Sequence, residues 1–168
     1  EKGGDDRTQG YEPDEAHQEY ADANAVLAQC YINLNAPDTA IQKLKISQAY
    51  TKKNPEKGRY LFIIGQLYDQ LGHQDSANYA YNKVIELNRK SPRVYMINAH
   101  LKTIQNTELA EENREGMLEY LTDLEENREN RPFLDKIYRQ VADYHLAYEE
   151  DSLALAYYNK SIQATQGE

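Results

Sequence analysis

Apolar residues recur along this chain with the 3.6-residue period of an amphipathic helix, and the pattern stops at turn-forming residues. Leu61, Ile64, Gly65 and Tyr68 fall at i, i+3, i+4 and i+7, and after a break at Gly72 the spacing resumes at Ala77, Ala80, Tyr81 and Val84. Two helices joined by a tight turn follow. The pattern also repeats on a longer scale: Ala28, Tyr31, Ala40, Leu44 and Pro55 return 37 residues later as Gly65, Tyr68, Ala77, Tyr81 and Pro92, and a shift of 77 gives Ala142, His145, Ala154 and Tyr158. Pro55, Pro92 and Pro132, 37 and 40 residues apart, punctuate the units. Such periods mark stacked supersecondary units. The unit from Arg93 to Arg131 is degenerate but keeps Leu118 and Leu121 in register.

The spacing predicts helices over 13–34, 38–52, 57–71, 75–88, 92–106, 108–128, 132–148 and 151–164, paired as four hairpins. Strand signals are missing, since no run alternates with period two between turn residues. Gly72, and at lower frequency Asn35, can take the left-handed conformation that ends a helix, and Pro37 suits a first helical turn. Asp38 and Asp75 sit where a carboxylate favours a helix N-terminus. The first helix is too long for one repeat, so residues 13–20 are expected to be a separate helix or the tail of a preceding repeat. The domain reading is a flexible segment over 1–12 and one repeat domain over 13–168, with repeats at about 21–55, 56–92, 93–131 and 132–166.

Composition changes this picture in three places. Fifteen Tyr, two Phe and no Trp mean that Tyr has to fill packing positions. A net charge of −9 disfavours nucleic acid, because few cations are present to displace phosphate counterions. No window is apolar enough to span a membrane, so direct insertion by this segment is not expected. The single Cys excludes an internal disulfide, and Cys30 is expected to be a small buried thiol on a helix.

Leu61-x2-Ile64-Gly65-x2-Tyr68, Gly72, Ala77-x3-Tyr81 and Pro92 resemble the tetratricopeptide repeat, with Leu61 where the pattern has Trp. The resemblance implies an all-α tetratricopeptide-repeat solenoid of about four helical hairpins in a right-handed superhelix. Small residues at 28, 65 and 142, and at 40, 77 and 154, let the two helices of a hairpin approach, while Tyr68 and Tyr81 are expected to fill space between hairpins. Longer strings, Gly58-Arg59-Tyr60-Leu61-Phe62-Ile63-Ile64-Gly65-Gln66-Leu67-Tyr68, Lys90-Ser91-Pro92 and Glu129-Asn130-Arg131-Pro132-Phe133-Leu134-Asp135-Lys136-Ile137-Tyr138, resemble the repeat region of the SprE/PorW family over residues 20–165. Those are lipoproteins of gliding motility and type IX secretion in Bacteroidetes. Membership implies a location on the periplasmic side of the outer membrane, a lipid anchor outside this segment, and partners among secretion-machinery components, with the ring linked to the translocon.

Catalytic chemistry finds no convergent set of residues. His17, His73, His100 and His145 lie in different units without His-Glu-x-x-His spacing, no glycine-rich phosphate loop or Gly-x-Ser-x-Gly elbow occurs, and no cofactor or metal is expected. His145 holds the position of Tyr31 and Tyr68 and reads as a packed repeat residue. Glu111-Glu112, Glu125-Glu126 and Glu149-Glu150 read as solvated faces. Glu108 to Glu129 carries nine acids against Arg114 and Arg128, making Glu112, Glu119 and Glu126 a candidate docking face for a basic partner.

The first helix of each stacked hairpin lines an inner surface suited to peptides. Repeat register puts there Asp22, Ala25, Gln29 and Ile32; then Arg59, Phe62, Gln66 and Asp69; then Met96, Ala99, Thr103 and Asn106; then Lys136, Arg139, Asp143 and Leu146. Arg59, Phe62, Gln66, Asp69, Arg139 and Asp143 are the expected partner-binding residues. Ala25 and Gln29 depart from the cationic constellation of carboxylate clamps, so chaperone C-terminal peptides are not expected ligands. The function that follows is a non-catalytic protein-interaction scaffold in a type IX secretion assembly, or else a generic repeat adaptor in an unrelated complex.

Overall fold

The hairpin turns show how local chemistry sets this architecture. Asn35, Gly72 and Glu149 adopt φ of 55°, 76° and 58°. Behind each, a backbone N–H donates five residues back: Ala36 to Tyr31 O at 2.9 Å, His73 to Tyr68 O at 2.9 Å and Glu150 to His145 O at 3.0 Å. This is the left-handed cap that satisfies carbonyls at a helix end, and it recurs at the 37- and 77-residue shifts of the sequence pattern.

The computed structural model describes residues 13–166. Among them are α1 (Pro13–Asn33), α2 (Pro37–Tyr50), α3 (Asn54–Gln70), α4 (Gln74–Glu86), α5 (Arg93–Gln105), α6 (Arg114–Glu126), α7 (Leu134–Ala147) and α8 (Asp151–Gln166), with no strand. Short 3₁₀ turns occupy Asn88–Lys90, Glu111–Asn113 and Arg128–Phe133. The segment expected to be flexible, residues 1–12, lies outside the described residues. The chain divides into two compact units, Glu1–Pro92 and Arg93–Glu168.

In the first unit, α1 packs on α2, α2 on α3 and α3 on α4. The core joins Ala28 of α1, Ala40, Ile41 and Leu44 of α2, Ile64 and Leu67 of α3, and Ala80 of α4. Residues 13–20 are not a separate helix, because α1 runs unbroken from Pro13 to Asn33 as the predicted 13–34 helix. Gln18 ties its start to the α2–α3 linker, accepting from Lys52 N at 3.1 Å and Thr51 Oγ1 at 3.3 Å and donating to Glu56 at 3.3 Å. Tyr20 meets the Tyr50 ring edge-on at 5.2 Å. Cys30, expected to be buried, is exposed, because the packing stripe of α1 runs through Ala21, Asn24 and Ala28 instead.

Tyr81 does not fill space between hairpins; it lies within its own. Fully buried, it occupies the room left by Gly65, where a Cβ would stand 2.4 Å from its ring, and its hydroxyl donates to Asp69 at 2.6 Å. Tyr68 does meet the preceding hairpin, with Lys45 Nζ of α2 5.4 Å from its ring centroid.

In the second unit, α7 and α8 form a close hairpin, but the backbones of α5 and α6 stay apart. Lys102 stands where the other hairpins have Gly or Ala, and the rings of His100 (α5) and Tyr120 (α6) lie between the helices with centroids 5.5 Å apart. Side chains close the gap: Ile97, Leu101, Ile104, Leu121, Leu124, Ile137 and Val141 form one core. Met96 and Ala99, expected on an inner surface, are buried as well.

The predicted helix over 108–128 begins late. Ala110 is extended (φ −136°, ψ 134°), its carbonyl accepts from Tyr148 Oη at 3.3 Å, and Arg114, paired with Glu150, opens α6. Pro132, expected to start a helix, lies inside a 3₁₀ turn whose Asn130 is fully buried. Asn130 Nδ2 donates to Leu124 O at 2.8 Å, and its Oδ1 accepts from Arg93 Nε at 2.8 Å and from Arg93 Nη2.

Candidate functional site: a groove between α1 and α3

Where α1 and α3 run side by side, a cavity of about 240 Å³ opens in the first unit. Ala25, Val26 and Ile32 of α1, Leu44 of α2 and Ile63 of α3 give it apolar walls, and Gln29, Arg59 and Tyr60 also line it. Ala25, Gln29, Ile32 and Arg59 are inner-surface positions of the repeat register. Sequence reasoning missed Val26 and Ile63. Val26 lies off the packing stripe and is 66% exposed, which is the signal a hydrophobic residue leaves when its neighbours do not bury it.

The expected contact residues divide between surface and interior. Arg59 and Gln66 are exposed on α3. Phe62 is buried, its ring centroid 5.6 Å from that of Tyr81, so it packs the hairpin instead of presenting a contact surface. Asp69 is half-buried and accepts the Tyr81 hydroxyl; burial first, and then this carboxylate, push the Tyr81 phenol well above its ordinary value. In the second unit, Arg139 is exposed on α7, while Asp143 is half-buried and accepts from Tyr158 Oη at 2.6 Å. That hydrogen bond raises the Tyr158 phenol pKa. Asp69 and Asp143 thus anchor equivalent tyrosines from successive turns of the first helix, since residues three apart share a helix face.

Glu112, Glu119 and Glu126 are exposed, Glu112 in a 3₁₀ turn and the other two seven residues apart on α6. The carboxylate pairs are not uniformly solvated. Glu125 accepts from Tyr157 Oη at 3.3 Å and pairs with Lys160 at 3.5 Å. Glu150 faces His145 Nδ1 at 2.7 Å and Arg114. A carboxylate can only accept, so that His145 nitrogen carries the hydrogen. These two partners, His145 foremost, hold the Glu150 carboxyl below its usual range. His145 is itself buried and stacks on Tyr157 with centroids 5.6 Å apart, a packed repeat residue as its position implied.

His100 gives the second unit a pH dependence. Its Nδ1 pairs with the Tyr120 hydroxyl, and burial, with Arg93 nearby, pushes its pKa down to about 4. The unfolded chain takes up this proton near pH 6.5, the folded chain only near 4. Stability therefore falls as pH drops through that window, by about 3 kcal/mol, and this contribution is constant above it. Denaturant titrations at pH 7.5 and 4.5 should show the loss, and His100→Gln should shrink the difference between the two pH values.

Among the described residues no three His, Cys, Asp or Glu side chains are grouped to hold a metal ion, and no helix is long and apolar enough to cross a membrane.

Residues 58–91, which run from the second turn of α3 through α4 and the 3₁₀ turn after it, match the family model of the tetratricopeptide repeat. The α3–α4 hairpin is a tetratricopeptide repeat. A crystal structure of MamA is similar to the chain with a TM-score of 0.62 at 16% sequence identity, over 90% of this chain and 82% of that one. No curated protein matches the sequence. Repeat and neighbour together give the fold class, all-α hairpins of the tetratricopeptide-repeat kind.

Proposed function

We propose that this chain is a non-catalytic protein-interaction scaffold that receives a partner segment in the groove between α1 and α3. The observation that carries the reading is the combination of apolar walls at Ala25, Val26, Ile32 and Ile63 with Arg59 and Gln29 beside them. The walls take a hydrophobic side chain, and the guanidinium and amide donate to carbonyls or carboxylates flanking it. Helices on both sides fix these groups in advance, which reduces the entropy lost on binding. Gln66 of α3, and Arg139 of α7 in the second unit, are further proposed contacts, and Glu112, Glu119 and Glu126 form a separate face for a basic partner.

By its resemblance to the SprE/PorW repeat region, we place the scaffold on the periplasmic side of the outer membrane, in a type IX secretion and gliding-motility assembly where it links ring to translocon. A generic repeat adaptor in an unrelated complex is the second reading, favoured by a structural likeness that extends to fold alone.

Crosslinking pulldown from the native host, with wild-type and Arg59→Glu protein, separates these readings. Arg59 is exposed, so the variant should fold normally and recover at least tenfold less partner. Recovery of no secretion-machinery component overturns the secretion assignment, and equal recovery by both proteins overturns the groove. Reversing charge at Glu112, Glu119 and Glu126 together tests the acidic face, which an unchanged partner affinity would eliminate.

A further inference from the structure

Within the first unit, α3 turns one apolar stripe toward the hairpin before it. Tyr60, Ile64, Leu67 and Leu71, spaced i, i+4, i+7 and i+11, pack into the core that holds Ile41 and Leu44 of α2. The 37-residue shift of the sequence pattern carries this stripe onto Ala23, Leu27 and Cys30 of α1 and Leu34 just after it. There it lies open: Leu27 is 45% and Leu34 73% exposed, and Ala23 and Cys30 are exposed too, whereas Ile64 and Leu67 are buried. Ala23, Leu27 and Cys30 each stand two positions before a groove residue, Ala25, Gln29 and Ile32, which is about 200° around a helix. The open stripe and the groove are therefore on nearly opposite sides of α1.

The second unit carries the counterpart. The two shifts combined, 114 residues, align Ala28 and Ala40 with Ala142 and Ala154, and carry Ile41, Leu44 and Gln48 of α2 onto Leu155, Tyr158 and Ile162 of α8. Ile41 and Leu44 are buried in the core shared with α3, but Leu155 is 62% and Ile162 56% exposed. Ile162 in place of Gln48 makes the α8 face the more apolar of the two. We propose that these faces pair between two copies of the chain, with α8 of one copy in the role of α2 and α1 of a second copy in the role of α3. The α2–α3 packing inside the chain supplies the pattern, since it joins the same repeat positions. Removing Leu27, Leu34, Leu155 and Ile162 from water drives the contact, as apolar burial already does between α2 and α3. Tyr158, held through its hydroxyl on Asp143 at 2.6 Å, gives the α8 face a fixed ring between Leu155 and Ile162. The contact joins two different surfaces, so each pairing leaves one face of each kind free and further copies add head to tail.

The test is sedimentation velocity on the chain across a concentration series. Wild type should sediment faster as concentration rises. Leu27→Glu and Leu155→Glu, both changes at exposed side chains, should keep the wild-type melting curve and each lose this self-association, because the contact would bury a carboxylate without a partner. Mixed together, the two variants should form a one-to-one complex and nothing larger, since Leu27→Glu keeps an intact α8 face and Leu155→Glu an intact α1 face. Arg59→Glu should associate like wild type, which keeps this result separate from that of the groove. A wild type that stays monomeric throughout the series overturns the proposal and leaves both faces to another partner. Self-association by either variant alone overturns it as well, by showing that like faces pair, and so does a mixture that forms no complex.

Discussion

Asn130→Ala is expected to destabilise the Arg93–Glu168 unit by about 3 kcal/mol, because the buried Leu124 carbonyl loses its donor while the half-buried Arg93 guanidinium loses its inner acceptor. The Leu124 carbonyl loses its donor at 2.8 Å, and the Arg93 guanidinium loses the oxygen that two of its nitrogens share. Asn130 is fully buried, so water cannot replace it in the folded state without opening the core. Arg93 keeps Glu129 at 2.9 Å, but Glu129 is 44% exposed, and exposed ion pairs contribute at most about 1 kcal/mol. Glu129→Gln therefore serves as the contrast, with a loss under about 1 kcal/mol. Equilibrium denaturation of both variants checks the prediction, and equal losses would mean that burial of Asn130 is not what matters.

Gly65→Leu should cost about 1 to 3 kcal/mol through overpacking. A Cβ at residue 65 would stand 2.4, 2.7 and 2.8 Å from three ring carbons of Tyr81. That ring has little room to yield, since it is fully buried, lies beside Phe62 and is anchored through its hydroxyl to Asp69. Trimming the obstacle should relieve the clash, so Gly65→Ala with Tyr81→Leu should destabilise less than the sum of the two single changes. A melting temperature unaffected by Gly65→Leu would refute the packing register.

Much of the architecture was legible in the sequence because it rests on local chemistry. Gly72 and Asn35 are residue types that tolerate positive φ, and both take it. Glu149 performs the same turn with no such preference, so only its place in the repeat could have revealed it. The open third hairpin was not legible, because the His100 and Tyr120 rings that separate its helices come from elements twenty residues apart in sequence. Lys102, where the other hairpins have Gly or Ala, was the available sign. In the candidate site, helical spacing located α3 as a groove wall but could not orient Phe62, which is adjacent to the packing stripe and turns its ring inward to Tyr81. Val26 and Ile63 escaped notice because an exposed apolar residue and a buried one look identical in a sequence.

The Gln18 clasp has a kinetic consequence. It joins α1 to residues 33 to 38 positions along the chain, and the Arg93–Asn130 and Tyr148–Ala110 bonds span 37 and 38. Each closes a loop of about one repeat, so the entropy of closure is nearly the same for all, and growing only logarithmically with length it stays modest. Ties of this range join nearby elements within each unit, so their formation does not wait on a distant segment of the chain.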